Sequence, residues 1–538
     1  MKTMHSNTGS LNMYTKIKTT LLFILLFSIS TLAQNSVRSG YQKTPHGENK
    51  IFKSGILVEN ARIIDPDQPE IKVFTGYIVI QDQTIAYVGK RKPAVSNEVQ
   101  RIDGTGKYVI PGLIDSHVHL ANIAGFNGKY KRKYPELAAS YFRQLPKSYL
   151  YFGYTTLIDL NNYSPKTIDS ILKEKIRPGI LTCGEQLEVM NGFMMAEVEP
   201  KDRLAEYPYF VHDAYNKNAI LPASVSPAEH TPKAAVQRVV KKQNGKCIKL
   251  AFENGFGGTE EVTWEMPTRE IVRDIVREAR KEDLPVLLHA SSFEAQQFAY
   301  DTDVDIIAHG MWHWGLLKDY LNVRELPETH RSLLRKIAKK GLGYQPTFRV
   351  IAGQRDVFDD EFINDKKLEL VYPKEFLKWL KTDEGRWQQN NIKKYAKGAF
   401  DGRSNREIAE FMQLIVDKIG ISTNFLAGQN ANLLFGTDTP SSNAHTNPPG
   451  YNGYLEMQEW HKAGVSLEMI LKAATINNAR AFHLQRSHGS IKKGKIANLL
   501  LLDANPLKDI SAYDSISSVI INGKVFRRNS FSALADEL

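Results

Sequence analysis

Ile110-Pro111-Gly112-Leu113-Ile114-Asp115-Ser116-His117-Val118-His119 is the stretch on which the reading of this chain turns. Leu113–Val118 is an apolar run, and Pro111-Gly112 marks its entry. On an extended strand residues i and i+2 face the same side, so the His117 and His119 imidazoles point together. Two neutral imidazoles side by side are poor core filler and good metal ligands. A lone His-x-His also arises by chance on surface strands. This one ends an apolar strand, so its meaning depends on what the neighbouring strands carry.

Working outward, residues 111–484 alternate short apolar runs with amphipathic stretches, the pattern of a parallel sheet with helical crossovers. Candidate strands are Leu113–Val118, Thr155–Leu160, Gly179–Cys183, Cys247–Phe252, Val286–His289, Ile306–His309, Gly343–Phe348 and Leu433–Thr437. Thr268–Lys281 and Leu467–Ala481 read as crossover helices. Eight such strands predict an α/β fold, a closed (β/α)8 TIM-like barrel. Residues of about 354–400 are too many for a loop and read as a helical insertion over the barrel mouth. Both flanks are β-rich. Residues 51–110 hold Gly55–Val58, Tyr77–Ile80 and Ile85–Val88, with a turn at Gln81-Asp82-Gln83-Thr84. Residues 485–530 hold Ala497–Asp503 and Val519–Val525, the latter with an Asn522-Gly523 turn signal. The two ends therefore predict one small β-sandwich with the barrel inserted between its halves.

Further polar residues recur where these strands end. His289 closes Pro285–Leu288, His309 closes Asp305–Ala308, and Asp438 follows Leu433–Thr437. Lys249 lies inside Cys247-Ile248-Lys249-Leu250, where an unpaired ammonium is costly. Each alone reads as a satisfied core histidine, a snorkelling lysine or a helix cap. Together they fall at strand C-termini, the end at which barrel active sites are built. His212 and His230 show no metal-like pattern, and neither do His313 and His445. The last two lie near predicted mouth loops and are candidate substrate contacts. Arg349, just past the seventh strand, is a candidate partner for a substrate carboxylate.

The set as a whole resembles the amidohydrolase superfamily, in its prolidase-like and imidazolonepropionase-like branch. The resemblance runs over about 55–527 through Val109–His119, Gly153-Tyr154-Thr155-Thr156, His289-Ala290 with Glu294-Ala295, His309-Gly310, Gly436-Thr437-Asp438 and Gly489–Gly494. It implies a metal-dependent hydrolase with two divalent ions, zinc by default, with manganese or cobalt as substitutes. It implies that His117 and His119 hold the more buried ion and His289 and His309 the second. Lys249 would bridge both as a carbamate, and Asp438 would be ligand and catalytic proton shuttle. The implied reaction is hydrolysis of an amide, peptide or cyclic-amide C–N bond by a metal-bridged hydroxide. Dipeptides or N-acyl amino acids are the leading substrate class. Two departures stand out: Asn191-Gly192-Phe193 where relatives commonly carry Gly-Gly-His, and Ala497-Asn498-Leu499 where many carry Ala-Asp-Leu. An unmodified Lys249 would favour a mononuclear, deaminase-like enzyme. The sequence is also compatible with lactone or phosphoester cleavage, and with a catalytically inactive exported binding protein.

Composition sets the remaining bounds. With 42% hydrophobic and 24% charged residues the chain is ordinary globular protein. The formal charge of +11 is spread over 538 residues with no basic run interleaved with aromatics, so nucleic acid is not an expected partner. A small-molecule substrate is, and homo-oligomers are compatible with the sequence. Cys183 and Cys247 permit one disulfide, but both sit in apolar strands and read as buried free thiols.

Residues 1–33 read as a signal peptide: Lys16 and Lys18, the apolar run Leu21–Phe27, then Thr31-Leu32-Ala33 with small residues for cleavage. The apolar run is short for a membrane span, so no stable span is expected after cleavage. An uncleaved anchor is the competing possibility, and Met13 could serve as the start in place of Met1. Residues 34–50 read as a disordered linker. The expected location is periplasmic or secreted. Mass spectrometry of exported protein should find an N-terminus at or near Gln34; an intact Met1 or Met13 terminus would remove the signal-peptide reading.

Overall fold

Alternate residues of the flanking sheet enter different cores, Leu499 and Leu501 one and Leu500 and Leu502 the other. In this computed structural model, which describes residues 51–255, 262–396, 398 and 400–535, the expected leader and linker lie outside the described residues. β1 (Ile56–Ile64) pairs antiparallel with β2 (Val73–Gln81), which turns through Asp82 into β3 (Thr84–Gly89). β4 (Gln100–Asp103) and β5 (Tyr108–Pro111) pair parallel with β1.

The chain then enters the barrel. Its strands are β6 (Leu113–Val118), β7 (Tyr154–Asp159), β8 (Gly179–Thr182), β9 (Ile248–Ala251), β10 (Val286–His289), β11 (Ile306–Ala308) and β12 (Gly343–Gln345). β6-β7-β8 and β9-β10-β11-β12 form two parallel ladders. β6, β7 and β9 are buried throughout, as expected of strands covered on both faces.

Two seams complete the circle. The eighth barrel segment, residues 433–439, is irregular but bonds on both sides. Tyr344 N donates to Asn432 O at 3.0 Å and Leu434 N to Tyr344 O at 2.9 Å. Facing β6, Ser116 N donates to Phe435 O at 3.1 Å, Asp438 N to His117 O at 2.7 Å and His119 N to Thr439 O at 2.8 Å. Gly436 is required here, because a Cβ would lie 2.7 Å from the His117 Cβ. At the second seam, between β8 and β9, Lys246 N donates to Thr182 O and Leu187 N to Lys249 O.

After the barrel come β13 (Leu499–Leu502), β14 (Ile516–Ile521) and β15 (Lys524–Arg527). The terminal strands form one eight-stranded sheet, in the order β15-β14-β13-β5-β1-β2-β3 with β4 on β1. The sandwich is thus one continuous sheet that curls. The start of β3 bonds to residues 494–497, through Ile85 N to Lys495 O at 2.8 Å and Ala497 N to Gln83 O at 2.8 Å. Ile63, Ile78, Ile85, Leu499 and Ile520 pack together inside the curl. The β14–β15 turn holds Asn522 and Gly523 at φ 47° and 75°, the left-handed pair that a two-residue hairpin needs.

The span read as an insertion contains the helices Leu368–Val371, Lys374–Leu380 and Trp387–Tyr395. It docks on loops leaving the C-terminal ends of β6 and the eighth segment. Trp387 Nε1 donates to Gly125 O at 2.8 Å and Gln388 Nε2 to Ser442 O at 3.0 Å. Phe126 meets Trp379 edge-on at 4.6 Å between centroids. Among the described residues no helix is long and apolar enough to cross a membrane.

One expectation is corrected. Cys183 and Cys247 are not free thiols but a disulfide, with Cα atoms 4.4 Å apart. Cys183 follows β8 and Cys247 precedes β9, so their 64-residue separation collapses to neighbouring strands at the seam. A cross-link of that loop length contributes about 4 kcal/mol in the chain-entropy view, and disulfides typically deliver about 2–4 kcal/mol. Thiol titration of denatured, unreduced protein should find no free thiol, and two after reduction. The Cys183→Ser, Cys247→Ser double variant should lose about 2–4 kcal/mol in denaturant unfolding; two thiols titrating before reduction would restore the free-thiol reading.

Candidate metal centre

β6 delivers alternate residues to the barrel interior, and Asp115 and His117 are both buried there. Asp115 fixes the adjoining eighth segment. Its carboxylate accepts from Thr437 Oγ1 at 2.7 Å and Thr437 N at 3.1 Å, and from its own strand at His117 N, 3.2 Å. Burial pushes the Asp115 carboxyl up to about 7, against those hydrogen bonds. Asp438, next after Thr437, adopts a left-handed φ of 57°, sparsely populated for a non-glycine residue. Its Oδ1 lies 3.2 Å from His117 Nε2 and 2.7 Å from His119 Nε2.

The other imidazoles close on the same point. His309, also at positive φ (84°), stands 5.1 Å from His117 between ring centroids, and His289 stands 4.3 Å from His309. Among the described residues, ligand atoms of His117, His309 and Asp438 lie within 4.8 Å of one another. The remaining ring nitrogens are held from behind. Gln345 Oε1 is 3.2 Å from His117 Nδ1, Thr347 Oγ1 is 2.8 Å from His309 Nδ1, and Glu253 Oε2 is 2.8 Å from His289 Nε2.

Electrostatics prepare these groups as donors. Burial pulls His117 down to about 3 despite the Asp438 charge, and pulls His309 well below the ordinary histidine range. Both imidazoles are therefore neutral, with lone pairs available. Burial opposes the charge on Asp438, but His117 and His119 outweigh it and hold the carboxyl well below its usual range. Lys249 is 2% exposed, and its Nζ has no hydrogen-bond partner. Burial lowers its amine to about 8, countered by the charges of Asp438 and Glu188. Neutral nitrogens, an ionised carboxylate and an orphaned buried amine are a donor set that fits divalent metal ions with nitrogen and oxygen ligands.

The structure thus brings His117, His119, His289, His309 and Asp438 together, with Lys249 in electrostatic contact. His313 sits beside this group. It is buried, with Nε2 unpartnered, and burial pulls it to about 4. His445 lies apart at the rim, with Nδ1 on Gln388 Oε1 at 3.2 Å. Phe193, in the departing Asn-Gly-Phe motif, supplies an aromatic wall 5.7 Å from the His289 ring. Glu253, Gln345 and Thr347 carry no motif of their own in the sequence. All three end or follow buried strands, the same positional signal that marks the histidines.

The match to known proteins follows this geometry. The profile of the amidohydrolase family matches residues 108–311 and 424–526, segments that contain all six candidate ligands. The chain belongs to the amidohydrolase family. It is 24% identical over 272 residues to a dihydroorotase of Clostridioides difficile (strain 630), a match spanning 48% of this chain and 61% of that protein. In structure it resembles a Xaa-Pro dipeptidase crystallised with methionine in its active site, with TM-score 0.57 and 20% identity, covering 88% of this chain and 99% of that one. It also resembles molinate hydrolase, with TM-score 0.60 and 18% identity, covering 89% and 95%.

Arg349 is the clear correction. Its guanidinium is 1% exposed and fully engaged within the protein. Nε donates to Asn452 Oδ1 at 2.8 Å, Nη1 to Asp356 Oδ2 at 2.5 Å and Nη2 to Thr446 O at 2.6 Å. It clamps the loop after the eighth segment and two helices, with each of its three nitrogens already bonded inside the protein. Arg349→Ala should therefore cost about 3 kcal/mol or more of unfolding free energy, because a buried charge network loses its centre. Wild-type stability combined with weaker binding of carboxylate-bearing substrates would return Arg349 to a substrate role.

Proposed function

We propose that this chain is an exported metal-dependent hydrolase of a C–N bond, with dipeptides or N-acyl amino acids as its leading substrate class. The observation that carries the reading is the convergence of four imidazoles, Asp438 and an orphaned Lys249 amine at the C-terminal end of the barrel. The relatives' own names, dihydroorotase and Xaa-Pro dipeptidase, favour amide-like bonds. The Cys183–Cys247 disulfide favours an oxidising compartment.

In this reading His117, His119, His289, His309 and Asp438 would hold two divalent ions, zinc by default, and a carbamylated Lys249 would add an anionic oxygen ligand between them. The ions, when bound, lower the pKa of a water and polarise the scissile carbonyl. With its amine lowered to about 8, Lys249 has an appreciable neutral fraction near neutral pH. That neutral Nζ adds to the carbon of carbon dioxide and sheds a proton, giving an anionic carbamate and removing a buried ammonium. Asp438 Oδ1, kept ionised between two imidazoles, accepts a proton from the attacking water and returns it to the departing nitrogen. A mononuclear, deaminase-like enzyme is the second reading, favoured by the tight His117–His309–Asp438 group, which suits a single ion.

Metal analysis of purified protein, then a hydrolysis screen over dipeptides, N-acyl amino acids, lactones and phosphoesters, separates these readings. Lys249→Ala should bind about one metal per chain where wild type binds two, and lose most activity. Acetate or propionate should partly restore it, and Lys249→Glu should retain more metal than the alanine variant. Two retained equivalents with normal turnover would rule out the bridging role. Asp438→Asn should lower kcat on the order of 10²-fold or more while the protein stays folded; near-normal turnover would remove Asp438 as proton shuttle.

A further inference from the structure

The structure assigns Glu253 a positioning role: it holds His289 through Nε2, leaves Nδ1 as that ring's metal-binding nitrogen, and so sets the affinity of the second metal. This inference rests on the metal-centre reading above and adds a residue to it.

Glu253 follows β9, four residues after Lys249, and is 1% exposed. A carboxylate buried that deeply needs partners. Oε2 has two: His289 Nε2 at 2.8 Å and Ser291 Oγ at 2.9 Å. Ser291 can donate only its hydroxyl proton there, so the carboxylate is an acceptor on this side. The imidazole then carries its proton on Nε2, and its lone pair falls on Nδ1. The environment strengthens the contact. Phe193 packs 5.7 Å from His289, and Trp264 5.2 Å from Phe193, while Trp264 Nε1 donates to Glu253 O at 2.6 Å. Aromatic walls lower the local dielectric and make the charge-assisted bond worth more than in water.

The supports behind the neighbouring ligands make the contrast informative. Gln345 and Thr347, which back His117 and His309 through Nδ1, are neutral; Glu253 alone among these three carries a charge, and it acts through Nε2. A carboxylate behind a ligating imidazole fixes its tautomer and raises its basicity, and loss of such a partner typically lowers metal affinity about 10–100-fold. The effect should therefore fall on the second metal, with the first, on His117 and His119, spared.

Two measurements test this. In metal-free protein labelled with 15N-histidine, long-range 1H–15N spectra should show His289 as the Nε2–H tautomer. Glu253→Ala should shift it toward a tautomer mixture, while Glu253→Gln, which keeps an acceptor, should retain most of it. In chelator competition with Zn2+, Glu253→Ala should weaken the second equivalent by about 10–100-fold. Glu253→Gln should weaken it less, with the first equivalent unchanged in both. Thermal unfolding checks that the variants fold, and Glu253→Gln carries the test if the alanine variant does not. An Nδ1–H tautomer in wild type, or a second equivalent held with wild-type affinity by a folded variant, overturns the inference alone. Wild type that takes up no metal overturns the hydrolase reading, and the metal role of Glu253 with it.

Discussion

The contact between Asp115 and Thr437 is the constraint on which the centre depends. The eighth barrel segment is not a regular strand, so its register against β6 is fixed by three main-chain hydrogen bonds together with side-chain contacts. Asp115 adds to this from inside the barrel by accepting from both the Thr437 hydroxyl and its amide. Gly436 lets the segment approach His117 closely. Only then does Asp438, in a backbone conformation a non-glycine residue seldom adopts, present one oxygen to two imidazoles. Such strain persists where surrounding contacts over-determine it. Here the main-chain bond from Asp438 N to His117 O and the Asp115 network supply that over-determination.

Much of this is legible in the sequence because barrels translate position along a strand into position in space. Leu113–Val118 and Val286–His289 are placed to the residue, and the other regular barrel strands to within a few residues at their ends, whereas β4 and β5 of the flanking sheet have no counterpart in that reading. One rule points to the histidines and Asp438, a polar residue where an apolar run ends, and a second to Lys249, a charge inside such a run. The first rule also fits Glu253 and Gln345. It does not single them out, because single carboxylates and amides after strands are common, and only the histidine they face reveals them. Arg349 fails for the opposite reason. Its place after the seventh strand is correct, but its partners Asn452 and Thr446 lie about a hundred residues away. Chain position says nothing of what has already claimed a guanidinium.

The cysteines show a different limit. Their apolar surroundings argue for free thiols, and that local argument is sound: both side chains are fully buried in the barrel core. Strand order, not local composition, decides the pairing. In a barrel the third and fourth strands are neighbours, so residues flanking them meet however long the crossover between them. The crosslink also lies where regular pairing is interrupted, between the two parallel ladders and two residues from Lys249. A strand carrying a buried, unpartnered amine contributes little through that side chain to its own stability. A covalent tie at its base compensates, and it does so without adding bulk at the mouth.

The candidate ligands and the helices over the barrel mouth are built from different parts of this chain. The family profile covers the segments bearing the candidate ligands and is interrupted between residues 311 and 424. That interval contains Trp312, His313, the Arg349 clamp and the helices that dock on the loops after β6 and the eighth segment. The Arg349 network shows how such a rim can be rigid without touching the chemistry. Its bonds run to Asp356, Asn452 and Thr446, and the neighbouring Glu456 carboxylate accepts from the backbone N–H groups of Phe348 and Arg349. Burial drives Glu456 up to about 8, against the hydrogen bonds it accepts and the Arg349 charge. A rim anchored this way can change its outward loops while the Asp115–Thr437 register, and hence the position of Asp438, stays fixed.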